Sequence, residues 1–208
     1  GDVYLLARGL EITGNLGDDV HFAGGTLDLK TGAAWGEGSL VAAAVEINLE
    51  AGTSVPQDVN AIAYQLSSSG QIGRDILYAG ESLIIGGQVS RDLYAHVGDA
   101  GEDVSPQLVV TLLSLVLGLD AAPSGLRLTE AGLVERNLDY IAPSRAQIDG
   151  RVVGATSYTP VTNAPTIEEM VAEESRSDAL RQYFGQVVQD VLVLTLMGAI
   201  LLIVGPSL

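Results

Sequence analysis

The side chains of this chain that could do chemistry are mostly carboxylates. There are 26 Asp and Glu residues against 10 Lys and Arg residues, which gives a formal net charge of −16. The chain has no Cys and 2 His, His21 and His96, so thiolate zinc sites, cysteine nucleophiles and multi-histidine metal sites are excluded. A protein that binds nucleic acid by neutralising phosphates needs a basic face, so the acidic balance excludes that class as well.

An Asp or Asn repeatedly begins a short run of alternating apolar residues. We assign these anchor residues to turns, because Asp and Asn side chains hydrogen-bond the backbone of their own turn and tolerate its geometry. A degenerate copy without Asp begins at Gly38, and Arg74, Arg91 and Arg136 directly precede three of the anchors. We expect these arginines to offset the repulsion between stacked carboxylates. The anchors are Asp2, Asp19, Asp58, Asp75, Asp92 and Asn137.

Two kinds of chemistry would use such a column of carboxylates. Calcium binding is one, but the spacing is not nine and the Gly-Gly-x-Gly-x-Asp nonapeptide of calcium-binding β-rolls is absent. A polysaccharide lyase is the other, since Arg74 with Asp75 and Arg91 with Asp92 could place acidic and basic groups on one face. A hexapeptide acyltransferase would need strict six-residue spacing, which the chain lacks. We therefore predict a turn role for the anchors and no catalytic residue, no cofactor and no metal site.

The spacing of the anchors predicts the fold. Successive anchors, with Gly38 included, are 17, 19, 20, 17, 17 and 45 residues apart, and each step holds a second short apolar segment near a Gly. Such a step is typical of one coil of a β-solenoid. A single coil leaves its backbone groups without partners, and stacking coils in parallel about 4.8 Å apart satisfies them. We predict a mainly β fold, a single-stranded parallel β-helix, over residues 1–154.

Alternation within each run predicts which side chains point inward, because successive residues of a strand face opposite sides. The intervening positions, which include Tyr4, His21, Asn60, Leu77 and Tyr94, are expected to face outward. The inward set is apolar apart from the Tyr hydroxyls, and its members are expected to form the solenoid core: Val3, Val20, Phe22, Val59, Ile76, Tyr78, Leu93 and Leu138.

Three further segments are expected to depart from the repeat. Residues 105–122 are expected to be an apolar insertion, because they contain a run of twelve residues without formal charge, 108–119. We interpret the insertion as a core element or as a segment in contact with a membrane. Residues 155–165 are rich in Ser, Thr and Pro and are expected to be a linker. Residues 166–208 are expected to form a helix, amphipathic at first and then membrane-embedded. The residues expected in the membrane are Val191, Leu192, Leu194, Leu196, Ile200, Leu201, Leu202 and Ile203.

The repeat resembles a known family. The pattern Gly-x-Asp-Val/Ile-x-x-Ala-Gly-Gly followed by Leu/Ile-x-Ile-x-Gly-x-Ile/Val, seen in residues 17–29 and 73–89, resembles the bactofilin-like, polymer-forming cytoskeletal repeat proteins. The sequence NLDYIAPSRAQIDGRV from residue 137, followed by a linker and an apolar helix, is similar to membrane-anchored relatives of that family. This resemblance covers roughly residues 1–160. It implies a right-handed parallel β-helix, no catalytic residues and a scaffolding or self-assembling role.

These observations lead to an expected function. We expect a non-enzymatic, membrane-anchored structural, scaffold or accessory subunit whose solenoid docks on other membrane proteins or assembles with further copies. Its expected partners are those proteins and the lipid bilayer, with no nucleic acid. The resemblance and the absence of an initiator Met favour a solenoid outside the cytoplasm, although Arg176 and Arg181 before the apolar segment weakly favour the opposite orientation. The alternatives are a lyase-like β-helix enzyme and a cell-surface adhesin.

Overall fold

The computed structural model describes residues 1–98 and 123–161. All the regular secondary structure in those ranges is β-strand. The longer strands are β1 (Val3–Ile12), β3 (Val20–Leu29), β5 (Leu40–Leu49), β7 (Val59–Ser68), β9 (Ile76–Ile85), β11 (Leu93–Val97), β12 (Gly125–Leu128), β14 (Leu138–Ala142) and β17 (Thr156–Pro160). The two-residue strands are β2 (Asn15–Leu16), β4 (Ala34–Trp35), β6 (Ser54–Val55), β8 (Gln71–Ile72), β10 (Gln88–Val89), β13 (Leu133–Val134), β15 (Gln147–Ile148) and β16 (Arg151–Val152).

The strands stack as coils of a parallel β-solenoid. One sheet runs β1-β3-β5-β7-β9-β11-β14-β17 and also holds β12, which pairs with β9 and β15. The other two-residue strands form a second sheet, β2-β4-β6-β8-β10-β13-β16. All strand pairs within the described ranges are parallel, which confirms the predicted parallel β-solenoid, with about 7 coils. The right-handed winding, which parallel crossovers favour, stays a prediction.

Each ten-residue strand turns one corner, and the burial pattern shows where. In β3 the buried inward residues are Val20 and Phe22, then Leu27 and Leu29. Residues that share one face of a straight strand lie an even number apart, so the odd step from Phe22 to Leu27 requires a bend. The ladder between β1 and β3 is also interrupted there, at Arg8. A coil therefore has a first side and a second side, formed by the two halves of the long strand, and a third side formed by the two-residue strand.

The core is built from inward columns in which each coil contributes one side chain. The pairing register aligns Val3, Val20, Leu40, Val59, Ile76, Leu93 and Leu138 in one column of the first side. Of the eight predicted core residues, seven are at most 1 % exposed, and Val3 in the first coil is half-buried. Burying an aliphatic or Phe side chain stabilises a fold by roughly 1.5–3 kcal/mol, so these columns are the main source of stability.

Coils differ in length because the turns at two of their corners differ in length from coil to coil. The second and third coils carry turns at residues 30–33 and 50–53, closed by bonds from Ala33 N to Lys30 O (2.9 Å) and from Thr53 N to Glu50 O (3.1 Å). The second coil also holds an extra Gly38 at φ +113°, a conformation that favours glycine. Val20 pairs with Leu40, so the degenerate anchor is Ser39 rather than Gly38. The prediction missed this because it did not allow for the additional turn residue.

One expectation about the departures from the repeat is corrected, and three concern residues that the structure does not describe. The linker expected over residues 155–165 is corrected at its start, because Thr156–Pro160 pairs as β17 with β14 and adds one more strand to the stack. The insertion at 105–122, the helix over 166–208 and the membrane residues lie outside the described residues. The described residues hold no helix of the length and apolarity that a bilayer span requires.

Tyr78 closes the corner between the first and second sides of the fifth coil. Its side chain is fully buried, and its hydroxyl lies 2.8 Å from the carbonyl oxygens of Ala63 and Ser82 and 3.1 Å from that of Tyr64. Burial raises the pKa of Tyr78 far above its ordinary value, so the hydroxyl keeps its proton and shares this one donor among the surrounding carbonyl oxygens, of which those of Ala63 and Ser82 are nearest. The buried hydroxyl thus has its hydrogen-bond partner inside the core and connects the backbone of the fourth and fifth coils at the bend.

Tyr78→Phe is expected to destabilise the solenoid by about 1–3 kcal/mol, because it removes a buried hydrogen bond between the hydroxyl and the backbone carbonyls at the corner. Tyr4→Phe is the matched control, since Tyr4 is 65 % exposed and the ring is retained. Chemical denaturation followed by circular dichroism measures both. Equal stability of the two variants would contradict the role given to the Tyr78 hydroxyl.

Candidate functional site

From Asp19 onward, the predicted anchors form a ladder along one corner of the solenoid. The backbone N–H of three successive anchors donates to the side chain of the anchor one coil earlier: Asp75 N to Asp58 Oδ1 at 3.1 Å, Asp92 N to Asp75 Oδ1 at 2.9 Å and Asn137 N to Asp92 Oδ1 at 3.0 Å. The same pattern continues at Ser39 N to Asp19 Oδ1 (2.7 Å) and at Ala155 N to Asn137 Oδ1 (3.0 Å). We call this set of residues the aspartate ladder.

The ladder exists because the corner leaves one backbone donor per coil without a carbonyl partner. The anchor's carbonyl is used, since the first strand residue of the preceding coil donates to it, as Ile76 N does to Asp92 O at 3.0 Å. The anchor's own N–H lies in the turn, where no carbonyl of the neighbouring coil accepts it. Because a buried N–H needs an acceptor, the side chain of the previous anchor takes this role. The expectation that each side chain bonds its own turn is therefore corrected: it bonds the turn of the next coil.

Three arginines form ion pairs with the aspartates of the ladder, as predicted from the sequence. Arg74 Nε lies 3.6 Å from Asp58 Oδ1, and Arg91 Nη1 lies 3.7 Å from Asp75 Oδ2. Arg136 Nη1 lies 3.4 Å from Asp92 Oδ2. Each arginine reaches back to the carboxylate of the previous coil, so it offsets repulsion between stacked aspartates. Burial beside these carboxylates raises the pKa of the neighbouring Tyr94, with desolvation as the larger cause.

These contacts bear on the lyase-like alternative. Arg74 pairs with Asp58, and Arg91 pairs with Asp75. Both carboxylates also accept a backbone hydrogen bond, so the charged groups that a lyase would use are bonded to each other and to the backbone. His21 stacks on Tyr4, with ring centroids 4.4 Å apart and planes 10° apart. His96 lies in the sixth coil, and the strand register places it in a different column from His21. The structure thus does not bring the two histidines together.

A group of three carboxylates lies at the start of the ladder. Oxygens of Asp2, Asp18 and Asp19 lie within 4.8 Å of one another, and oxygen ligands are what calcium and magnesium prefer. Two of them already hold backbone donors: Asp18 Oδ1 accepts from Asp19 N at 3.2 Å, and Asp19 Oδ1 from Ser39 N. The arrangement is explained by the turns of the first coils, and the absence of a metal site stays a prediction.

The outward face of the first side has a different character. Among its residues Asp139 alone carries a formal charge, although the chain as a whole has a net charge of −16. Exposure varies along the face: Tyr4 and Leu6 are 65 % and 49 % exposed, whereas Asn60 and Leu77 in the middle are buried. We call this set the uncharged face: Tyr4, His21, Val41, Asn60, Leu77, Tyr94, Asp139 and Ser157, with Leu6, Ala23, Ala43, Ile62, Ala79, His96, Ile141 and Thr159.

Two groups of interacting residues were not found from the sequence. Ser39 takes the place of an aspartate, and its Oγ lies 3.4 Å from Asp58 N. Near the last strand, Tyr140 and Tyr158 stack with centroids 5.1 Å apart, and the Arg145 guanidinium lies 5.2 Å from the Tyr158 ring centre. The first could have been found from Leu40, which restores the apolar column when the anchor moves by one residue. The second depends on contacts between coils, which spacing alone does not give.

Comparison of the chain with family models, curated proteins and solved structures finds no match. The class of protein is therefore defined by the fold: a parallel β-solenoid of about 7 coils with an aspartate ladder at one corner.

Asp75→Ala is expected to lower stability by about 1–3 kcal/mol, because it leaves the Asp92 N–H without its acceptor. Asp75→Asn keeps an acceptor oxygen at the same place, as Asn137 does naturally, and should retain most of the stability. Thermal and chemical denaturation compare the two. If Asn were as harmful as Ala, the charge on Asp75 rather than the hydrogen bond would be the stabilising feature.

The chain's single lysine connects the second and third coils and predicts a pH dependence. Lys30 Nζ donates to Glu50 Oε1 at 2.9 Å, and this bond lowers the pKa of Glu50 and raises that of Lys30. The stabilisation that Glu50 gives is present above its unfolded pKa of about 4.3 and is lost as the pH falls through the lower folded value. Glu50→Gln should therefore be less stable than the parent at pH 7, and the difference should shrink below pH 4. Glu37→Gln, at an exposed carboxylate, is the control; a pH-independent difference at Glu50 would contradict the assignment.

Proposed function

We propose that the protein is a non-enzymatic structural or accessory subunit. In this proposal the C-terminal apolar segment anchors the chain in a membrane, and the solenoid docks on other membrane proteins or assembles with further copies. The relation to bactofilin-like proteins is part of the same proposal. The solenoid would lie outside the cytoplasm.

The uncharged face is the observation that carries the proposal. A surface of a chain with a net charge of −16 would be expected to hold carboxylates throughout, yet Asp139 is the one formal charge on this face. Removal of charge is typical of the centre of protein interfaces, where aromatic and aliphatic side chains pack. Leu6 and Ile141, which are 49 % and 42 % exposed, offer such side chains at the two ends of the face.

The ladder supports a structural rather than a catalytic role. Its aspartates and arginines are paired with each other and with backbone donors, so their chemistry stabilises the stack of coils. A rigid stack suits a protein that holds partners at fixed positions, because each coil contacts only its neighbours and the faces extend along the axis.

Docking is tested by site-specific photo-crosslinking in intact membranes. A photoactivatable residue at Leu6 or Ile141 is expected to crosslink to a membrane protein or to a second copy of the chain. The same residue at Gln71, which is exposed on the third side, is the matched control and should give several-fold less product. Equal or absent crosslinking at all three positions would overturn the docking proposal.

Anchoring and orientation need a separate test. The full chain is expected to remain in the membrane pellet after alkaline extraction, and a variant with Leu194→Arg and Leu202→Arg should be released, since charges at the centre of a span are costly. Protease added to intact cells should cleave the solenoid if it lies outside. Release of the unmodified chain by alkali would contradict the anchor, and full protection of the solenoid would contradict its orientation.

A further inference from the structure

The sixth coil is interrupted at a corner where other coils need a single residue. In the fourth and fifth coils, Ala63 pairs with Gly80 before the corner and Gln65 with Ser82 after it. One residue per coil, Tyr64 or Glu81, lies between these pairs and has no partner in the ladder. The corner between the first and second sides therefore requires one unpaired residue in these coils.

In the sixth coil a longer stretch occupies the place of that residue. Val97 pairs with Gly80, and Gly125 pairs with Ser82, so residues 98–124 stand where the fifth coil has Glu81 alone. The step from Leu93 to Leu138 is 45 residues, and replacing these 27 residues by one reduces it to 19 residues. That length equals the step from Leu40 to Val59, which forms an uninterrupted coil.

Both sides of the interruption are held in the stack by described contacts. Gly98 N donates to Gly80 O at 2.7 Å, and Ser82 Oγ donates to Pro123 O at 2.9 Å. The inward positions of the sixth coil are all filled by buried residues from outside the interruption: Leu93, Ala95, Val97, Leu126, Leu128 and Val134. The coil therefore has its complete core without the residues between 98 and 124.

We infer that residues 98–124 are an insertion at a permissive corner and that the solenoid folds without them. Closing a long excursion costs chain entropy, which grows slowly with length, so its removal would lower this cost rather than raise it. The inference does not depend on the proposed function. It implies that whatever these residues contribute can be separated from folding of the solenoid.

The test replaces residues 98–124 by a single Gly in a full-length parent that already carries Ser82→Ala, because the replacement removes Pro123, whose carbonyl accepts from the buried Ser82 hydroxyl. The variant is expected to keep the β-sheet circular dichroism spectrum and one cooperative unfolding transition. Its Tm should lie within about 5 °C of the parent's. Hydrogen exchange should show the amides of residues 93–97 and 126–128 as strongly protected as in the parent. Loss of cooperative unfolding, or loss of protection in these two strands, would overturn the inference.

A second variant tests the register argument. Joining Val97 directly to Gly125 removes the unpaired corner residue, and a slip of one residue turns every side chain of a strand to the opposite face. This variant is expected to lose protection at Leu126 and Leu128 while differing from the first by one Gly. If it were as stable as the single-Gly variant, the requirement for one corner residue would be wrong.

Discussion

The structure depends on satisfying one backbone donor per coil where the chain turns the corner before the first side. The strands pair with each other, but the turn leaves the anchor N–H without a carbonyl, and a side chain from the coil below supplies the acceptor. The same anchor receives the N–H of the strand below at its carbonyl. Neighbouring coils are therefore joined at this corner by a side-chain and a backbone bond together, which fixes their register.

The aspartate ladder places like charges one coil apart, and the arginines are the response to that constraint. Asp58 and Asp92 are both buried, so a carboxylate there needs partners. Arg74 and Arg136 each reach back one coil to supply them. Where the ladder uses Ser39 or Asn137 the charge is absent. The Asp and Arg side chains that could do chemistry therefore stabilise the fold, which supports the proposed structural role. The uncharged face remains as the surface for docking.

The inward columns of the first side could be predicted from the sequence, but the corner between the first and second sides could not. Alternation identified Val20 and Phe22, since a straight strand repeats every two residues. Leu27 and Leu29 follow with the opposite phase, and nothing in their types marks the change. The bend becomes evident when Tyr78 is seen to hold carbonyl oxygens of two coils at once. Those oxygens belong to residues up to 15 positions away, beyond the range of local patterns.

By itself the sequence determined the coil as the repeating unit, the apolar columns of the first side and the Asp and Asn anchors, because these follow from local spacing and residue type. The tertiary structure alone decided which atoms each aspartate binds, that Ser39 replaces Gly38 as an anchor, and that β17 continues the stack. It also decided that Val97 and Gly125 pair with Gly80 and Ser82, two residues of the fifth coil that are separated only by Glu81. These features depend on pairing between residues 17 to 45 positions apart, and such pairing is set by how whole coils stack.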